Sequence, residues 1–269
     1  MKFDLHTHHY RCGHAQGEIS DYIEAAIAAG LDVIGISDHS PYFGSEEEHP
    51  QPLIAMTKKE FPNYVAEVLQ LKEQYRGKIE VLLGVESDFF PEFSSIYQGV
   101  YANYPFDYII GSVHLTNGLS IFNRNRWNKL TPDQHIMEKE TYYDLIAHSA
   151  RSSMFQILGH IDAMKGFYPE FSNIRTNKVD QTLKIIGECG IAIEINTSGK
   201  TKDCGGWYPS DEMLERALYH GVEVTFGSDS HIPSRIADDR DLVQQRLMEI
   251  GYKQWVFFRQ KVKQVVPLR

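Results

Sequence analysis

Cysteine is scarce in this sequence: Cys12, Cys189 and Cys204 are the only three in 269 residues. An odd, widely spaced set without zinc-finger spacing excludes a disulfide framework and points to a reducing compartment. Long apolar runs are missing as well. No stretch approaches the roughly 18 consecutive apolar residues that a membrane span needs. The opening MKFDLHTH has neither the basic nor the apolar region of a secretory signal. There is no glycine-rich phosphate loop, which argues against ATP or NAD as a cofactor. Positive charge is in the minority, with 27 Lys and Arg against 36 Asp and Glu and a formal net charge of −9. That balance disfavours a nucleic-acid groove as the main surface. The expectation is a cytoplasmic globular protein with no membrane or nucleic-acid partner. No pattern in the sequence specifies an oligomeric state.

What the chain does have is 42 % apolar residues in an alternating order. Residues 2–5, 32–36, 79–85, 107–113, 155–158, 191–195 and 223–226 read as short, nearly continuous apolar strands. Between and after them, 19–29, 58–75, 94–102, 131–152, 177–189, 210–220 and 239–250 carry helical apolar spacing. Gly30, Gly77, Gly190 and Gly221 stand where helices stop. Strands of this kind alternating with helices predict a parallel sheet covered on its outer face. No linker divides the series, so residues 1–269 are read as one domain. Three long connections after strands, 37–57, 114–130 and 196–209, are rich in loop-forming residues, as functional loops often are.

Twelve histidines are the other abundance. His6 and His8 follow the first strand at a spacing that turns both to one side, and His14 lies in the loop beyond. Asp38 and His39 follow the second strand, Glu86 ends the third, His114 the fourth, and His160 follows the fifth. Asp229 and His231 follow the seventh, while the sixth ends in Asn196. Core packing gives no reason for imidazole at so many strand ends, and in a parallel barrel those ends share the face where active sites are built. Histidine mixed with carboxylate, without cysteine, selects zinc, manganese or iron. His6, His8, His14, His39, Glu86, His114, His160, Asp229 and His231 are too many donors for one four-coordinate ion. They suit two to three divalent ions, with Glu86 and Asp229 as the natural bridges.

The motifs HTH (6–8), SDH (37–39), GVE (84–86), GSVH (111–114), GHID (159–162) and GSDSH (227–231) occur in the order of the PHP (polymerase and histidinol phosphatase) family. The chain resembles that family over nearly its whole length. SDHSP (37–41), FDYIIGSVH (106–114), GHIDAMK and INTSG (195–199) are similar to its histidinol-phosphate phosphatases. The resemblance implies a distorted (β/α)7 TIM-like barrel with three metal ions at the C-terminal ends of the strands, and the nine residues above match the positions of the family's ligands. It also implies hydrolysis of L-histidinol phosphate, with another small phosphate ester as the alternative. Two departures stand out. Lys200 and Thr201 follow INTSG where leucine and arginine are usual, and Gly166 follows HIDAMK where a basic residue is common. Lys165, Lys200, Lys202 or Arg235 could supply the missing positive charge, with Arg235, Lys165 and Lys200 favoured as phosphate contacts.

In such a site two or more ions hold a hydroxide for in-line attack on phosphorus and neutralise the developing charge. Asp229, His231 or Asp38 could shuttle the proton. Asp38 could equally orient a ligating imidazole, since metal-bound histidines usually hydrogen-bond a carboxylate. His9 is expected to be an exposed neighbour and Cys12 a bystander thiol. Glu46, Glu47 and Glu48 read as a solvated face, and Trp127 and Trp207 as packing residues.

Overall fold

The computed structural model describes all of residues 1–269. Its strands, in chain order, are β1 (Phe3–Asp4), β2 (Val33–Ile36), β3 (Glu80–Leu83), β4 (Glu86–Asp88), β5 (Ile110–Ser112), β6 (Leu115–Thr116), β7 (Leu119–Ser120), β8 (Ile157–Leu158), β9 (Ala192–Asn196), β10 (Val224–Gly227), β11 (Gln254–Arg259) and β12 (Val262–Pro267). The helices are α1 (Ile19–Ala28), α2 (Glu60–Gln74), α3 (Ser94–Tyr101), α4 (Arg124–Trp127), α5 (Pro132–Arg151), α6 (Asn177–Cys189), α7 (Asp211–Tyr219) and α8 (Arg240–Ile250). Local chemistry sets the ends of several. Thr131 and Gln134 bond each other's backbone N–H groups in a capping box with Pro132 in the first turn of α5. Gly190 closes α6 at φ +67°, a left-handed position that costs glycine nothing.

The strands pair in parallel in two sheets, β1-β2-β3 and β10-β9-β8-β5-β4. Backbone bonds join their borders. Leu5 N–H donates to Phe226 O (3.2 Å), His8 N–H to Ser230 O (2.9 Å) and Ser230 N–H to His6 O (3.3 Å), stitching the continuation of β1 to that of β10. At the other border Glu86 N–H donates to Ser37 O and Ser40 N–H to Glu86 O, both at 2.8 Å. The predicted strand 79–85 ends early as β3, paired with β2, and the chain resumes after Gly84 and Val85 as a separate strand, β4, paired with β5. The break falls at Gly84, where a side chain would run into the ring of Tyr108. Tyr64 Oη supplies the Gly84 carbonyl with a donor at 2.7 Å, so the interruption leaves no buried carbonyl unpaired.

Two further differences from the sequence reading concern loops. The connection 114–130 carries the β6–β7 hairpin and the short α4. The chain also continues past α8 into the antiparallel hairpin β11–β12. Phe3 lies 5.0 Å from Trp255 and 5.5 Å from Phe257, between ring centroids. Arg259 bonds both oxygens of Glu80 at 2.6 Å, Lys263 bonds Glu223 at 2.6 Å, and Gln260 N–H donates to Asp107 at 3.0 Å. Those acidic residues stand at the N-terminal starts of barrel strands, so the hairpin covers the N-terminal end. The C-terminal ends are left for the loops that carry the histidines. No helix is long and apolar enough to cross a membrane.

Candidate metal centre

All nine sequence-predicted donors meet at the C-terminal ends of the strands. Glu86, fully buried, occupies the middle. Its Oε2 lies 3.4 Å from His6 Nε2, 3.5 Å from His8 Nε2 and 2.9 Å from His39 Nδ1. Its Oε1 lies 3.3 Å from His114 Nε2 and 3.0 Å from His160 Nε2. Asp229 Oδ1 is 3.0 Å from His8 Nε2 and 3.8 Å from His6 Nε2. His14 joins from its loop, with Nε2 2.9 Å from His231 Nε2. His8 stacks between His39 and His231, at 4.3 and 4.2 Å between ring centroids.

These atoms fit a set of cation ligands. His6 Nε2, His8 Nε2 and Glu86 Oε2 are buried and make no hydrogen bond, and the three lie within 4.8 Å of one another. An unsatisfied buried polar group costs about 1–3 kcal/mol, so three facing one another need an explanation that a shared cation supplies. Backbone strain is concentrated in the same place. His160 (φ +26°), Asp162 (φ +108°) and Asp229 (φ +52°) are non-glycine residues in left-handed backbone, a conformation that persists where surrounding structure imposes it.

A second layer of carboxylates stands behind the imidazoles. Asp38 Oδ1 bonds His8 Nδ1 at 3.1 Å, and Asp88 Oδ1 bonds His114 Nδ1 at 3.0 Å. Glu194 Oε1 bonds His6 Nδ1 at 2.7 Å. Ser198 Oγ donates to Asp229 Oδ2 at 2.9 Å, and Asn196 Nδ2 to the same oxygen at 3.2 Å. Glu194, Asp88 and Ser198 escape a search for histidine-rich strand ends. The available signals were a carboxylate inside the apolar run IAIEI and a second one two residues past Glu86.

One expectation is corrected here, and one alternative gains support. His9 is buried, not exposed: its Nδ1 lies 3.3 Å from Asp38 Oδ2, and its ring stacks on Tyr64. It does turn away from the centre as strand alternation requires, but into protein and not into water. Asp38 is fully buried behind the rings of His8 and His9. That position, bonded to His8 Nδ1 and to the His39 backbone N–H, suits the orienting alternative.

The predicted phosphate contacts already have partners. Lys165 Nζ lies 2.7 Å from Asp162, Lys200 Nζ 2.7 Å from Asp239 and 3.3 Å from Asp238, and Arg235 Nη2 2.8 Å from Asp238. Trp127 is a core residue set edge-on to Phe171. Trp207 is half-buried, donating to Asp239 at 3.1 Å. Glu46, Glu47 and Glu48 are exposed.

Charge complementarity shapes the cluster. Burial opposes ionisation of Glu86, yet His39, His6 and His114 hold its carboxyl well below the usual range. Asp229 is likewise held low against burial by His6 and His8. Burial alone would depress His8, but the carboxylates of Asp229, Asp38 and Glu86 beside it raise it to about 9. Burial, with cationic neighbours, lowers His14 to about 4 and His231 to about 3.

Comparison with known proteins gives consistent matches. A family model described as PHP domain matches residues 4–198. A probable histidinol-phosphatase of Deinococcus radiodurans is 28 % identical over 262 residues, 97 % of this chain and 98 % of that protein. The histidinol-phosphatase of Bacillus subtilis is 30 % identical, over 86 % of this chain and 94 % of its own length. The crystal structure of histidinol phosphate phosphatase from Lactococcus lactis, complexed with zinc, L-histidinol and phosphate, matches with a TM-score of 0.81 over 98 % of each chain at 19 % identity. A putative histidinol phosphatase structure from Listeria monocytogenes gives a TM-score of 0.80 at 20 % identity, covering 90 % of this chain and 99 % of that one. At these identities the structural likeness establishes the fold.

Proposed function

The chain belongs to the PHP domain family, and from that premise we propose that it is a metal-dependent phosphatase that hydrolyses L-histidinol phosphate to L-histidinol and phosphate. The observation that carries the reading is the convergence of seven imidazoles and two carboxylates, His6, His8, His14, His39, His114, His160, His231, Glu86 and Asp229, on one end of the barrel. It occurs in a chain that aligns nearly end to end with a probable histidinol-phosphatase. Residues 1–269 are read as a single catalytic domain.

Two to three divalent ions fit the donors, and zinc, manganese or iron suits their chemistry. His6, His8, Glu86 and Asp229 would hold one, and Glu86 with His114 and His160 a second. His14, His39 and His231 would line a third. Ions there supply Lewis-acid charge and a nucleophile at neutral pH. The chain's own residues do the rest. Glu86 fixes the spacing between donor groups from different strands. Asn196 and Ser198 hold Asp229 Oδ2, which leaves Oδ1 to face the cluster and take up a proton there. His231, 32 % exposed, is the rim imidazole of the cluster. Asp38 and Asp88 orient His8 and His114.

The test is phosphate release from L-histidinol phosphate beside sugar phosphates, nucleotides and cyclic phosphates, with metal-replete and chelated protein. Preferential turnover of histidinol phosphate that disappears on chelation is the expected result. Turnover of another ester with none of histidinol phosphate would overturn the substrate, and full activity after exhaustive chelation would overturn the chemistry.

A further inference from the structure

Glu194 lies in β9, between β8 and β10, and its two oxygens meet groups at the C-terminal ends of β1, β8 and β9 itself. Oε1 accepts from His6 Nδ1 at 2.7 Å. Oε2 accepts from the backbone N–H of His160 at 3.0 Å and from Asn196 Nδ2 at 2.9 Å. That same Asn196 nitrogen reaches Asp229 Oδ2 at 3.2 Å. The carboxylate is fully buried, and the neighbouring backbone leaves it room. A Cβ at Gly227 would run into both Glu194 and His6. Burying a carboxylate in an apolar strand is costly unless it is fully hydrogen-bonded, and here both oxygens are.

We propose that Glu194 is a positioning residue that couples two ion positions of the centre. This inference rests on the metal-centre part of the proposed function and is independent of the substrate. By accepting the Nδ1 proton of His6, Glu194 fixes the tautomer that presents a free Nε2 to the cluster. By holding the backbone of His160, it sets where that imidazole leaves the strand. Through Asn196 it also bears on Asp229. His6 and Asp229 belong to one donor group and His160 to the other, so a single carboxylate controls both. Asp88 offers the contrast, because among the nine donors it bonds only His114, at the ring Nδ1 (3.0 Å) and the backbone N–H (3.2 Å). An amide in place of Glu194 keeps one acceptor but turns an N–H₂ group towards the remaining donors, where it cannot bond.

The experiment is cobalt titration of metal-free wild type, Glu194→Gln, Glu194→Asp and Asp88→Asn, read from the visible absorption of bound cobalt and from bound metal after dialysis. Circular dichroism confirms the fold. In Glu194→Gln, two cobalt equivalents are expected to weaken together by on the order of 10–100-fold, the range for loss of an outer partner, with altered absorption bands. In Asp88→Asn only one equivalent should weaken. Glu194→Asp, which keeps the charge but shortens the reach, should show the same paired weakening in smaller measure, and it decides the matter if Glu194→Gln does not fold. Wild-type affinities and spectrum in a folded Glu194 variant, or weakening of one equivalent alone, would overturn the coupling. Failure of the wild type itself to bind cobalt would overturn the metal-centre reading beneath it.

Discussion

Glu86 Oε2 lies 2.9 Å from His39 Nδ1, although the two residues leave the barrel on separate strands. The other oxygen of the same carboxylate is 3.0 Å from His160. No other side chain in the centre touches so many of the imidazoles.

Glu86→Gln removes the one negative charge common to five histidines, His6, His8, His39, His114 and His160. Turnover is expected to fall by at least on the order of 10²–10³-fold, the scale for losing a preorganised electrostatic group. Metal content, measured by plasma mass spectrometry, should fall with it. Full metal occupancy and near-normal turnover in the variant would remove Glu86 from the centre of the mechanism.

The three thiols should separate by reactivity. Burial, reinforced by the charge of Asp38, pushes the Cys12 thiol well above its ordinary value, so the reactive thiolate is suppressed there. Cys189 is exposed and Cys204 intermediate. The raised value means that increasing pH from 7 to 9 generates no Cys12 thiolate in the folded protein. Iodoacetamide labelling read by mass spectrometry should modify Cys189 first and leave Cys12 protected across that range. Early labelling of Cys12 would show that its loop opens.

The C-terminal hairpin should matter for stability and not for the centre. Trp255 is buried against Phe3, with the Arg240 guanidinium 4.5 Å from its ring. Trp255→Ala is expected to destabilise by about 3–5 kcal/mol, the usual cost of emptying an aromatic core site. A lower urea midpoint with unchanged metal affinity at 25 °C is the predicted outcome, and an unchanged midpoint would mean the hairpin does not brace the barrel.

The strand and helix series was legible because apolar periodicity is local, and the nine donors were legible because core packing does not call for imidazole at strand ends. Long-range pairing was not legible. Lys200 meets Asp238 and Asp239, 38 and 39 residues away, and Glu194 meets His6 across 188. Spacing encodes neither. The hairpin β11–β12 lacked its usual marker. Its turn is made by Gln260 and Lys261, both at positive φ, where glycine or asparagine would announce it. Tertiary bonds from both N–H groups to Asp107 hold that turn instead. His9 was misread for a related reason: alternation says which way a side chain points, but not what lies there.

Of the four basic residues the sequence offered for the phosphate, Lys202 is the one without a carboxylate partner. Lys165, Lys200 and Arg235 are each held by aspartate, and Arg124 by Asp203. Lys202 has no carboxylate partner, and its Nζ sits 5.6 Å from the ring centroid of Phe167. Phe167 packs on Phe122, and Phe122 on the ring of His114. On its other side, Lys202 closes the short helical turn that starts at Ser198, which bonds Asp229. Lys202 is thus linked through a chain of aromatic rings to His114 and through one helical turn to Ser198 and Asp229, and its ammonium is partly ordered by the aromatic face. A charge-assisted bond to a phosphate oxygen is worth about 1.5–3 kcal/mol, so Lys202→Ala should raise KM for histidinol phosphate by on the order of tenfold or more. Lys200→Ala should change KM by less than about twofold, since an exposed, paired charge contributes little. Steady-state kinetics of the two variants decide it: a large effect at Lys200 with none at Lys202 would mean that substrate breaks the Asp238–Asp239 pair and recruits the other lysine.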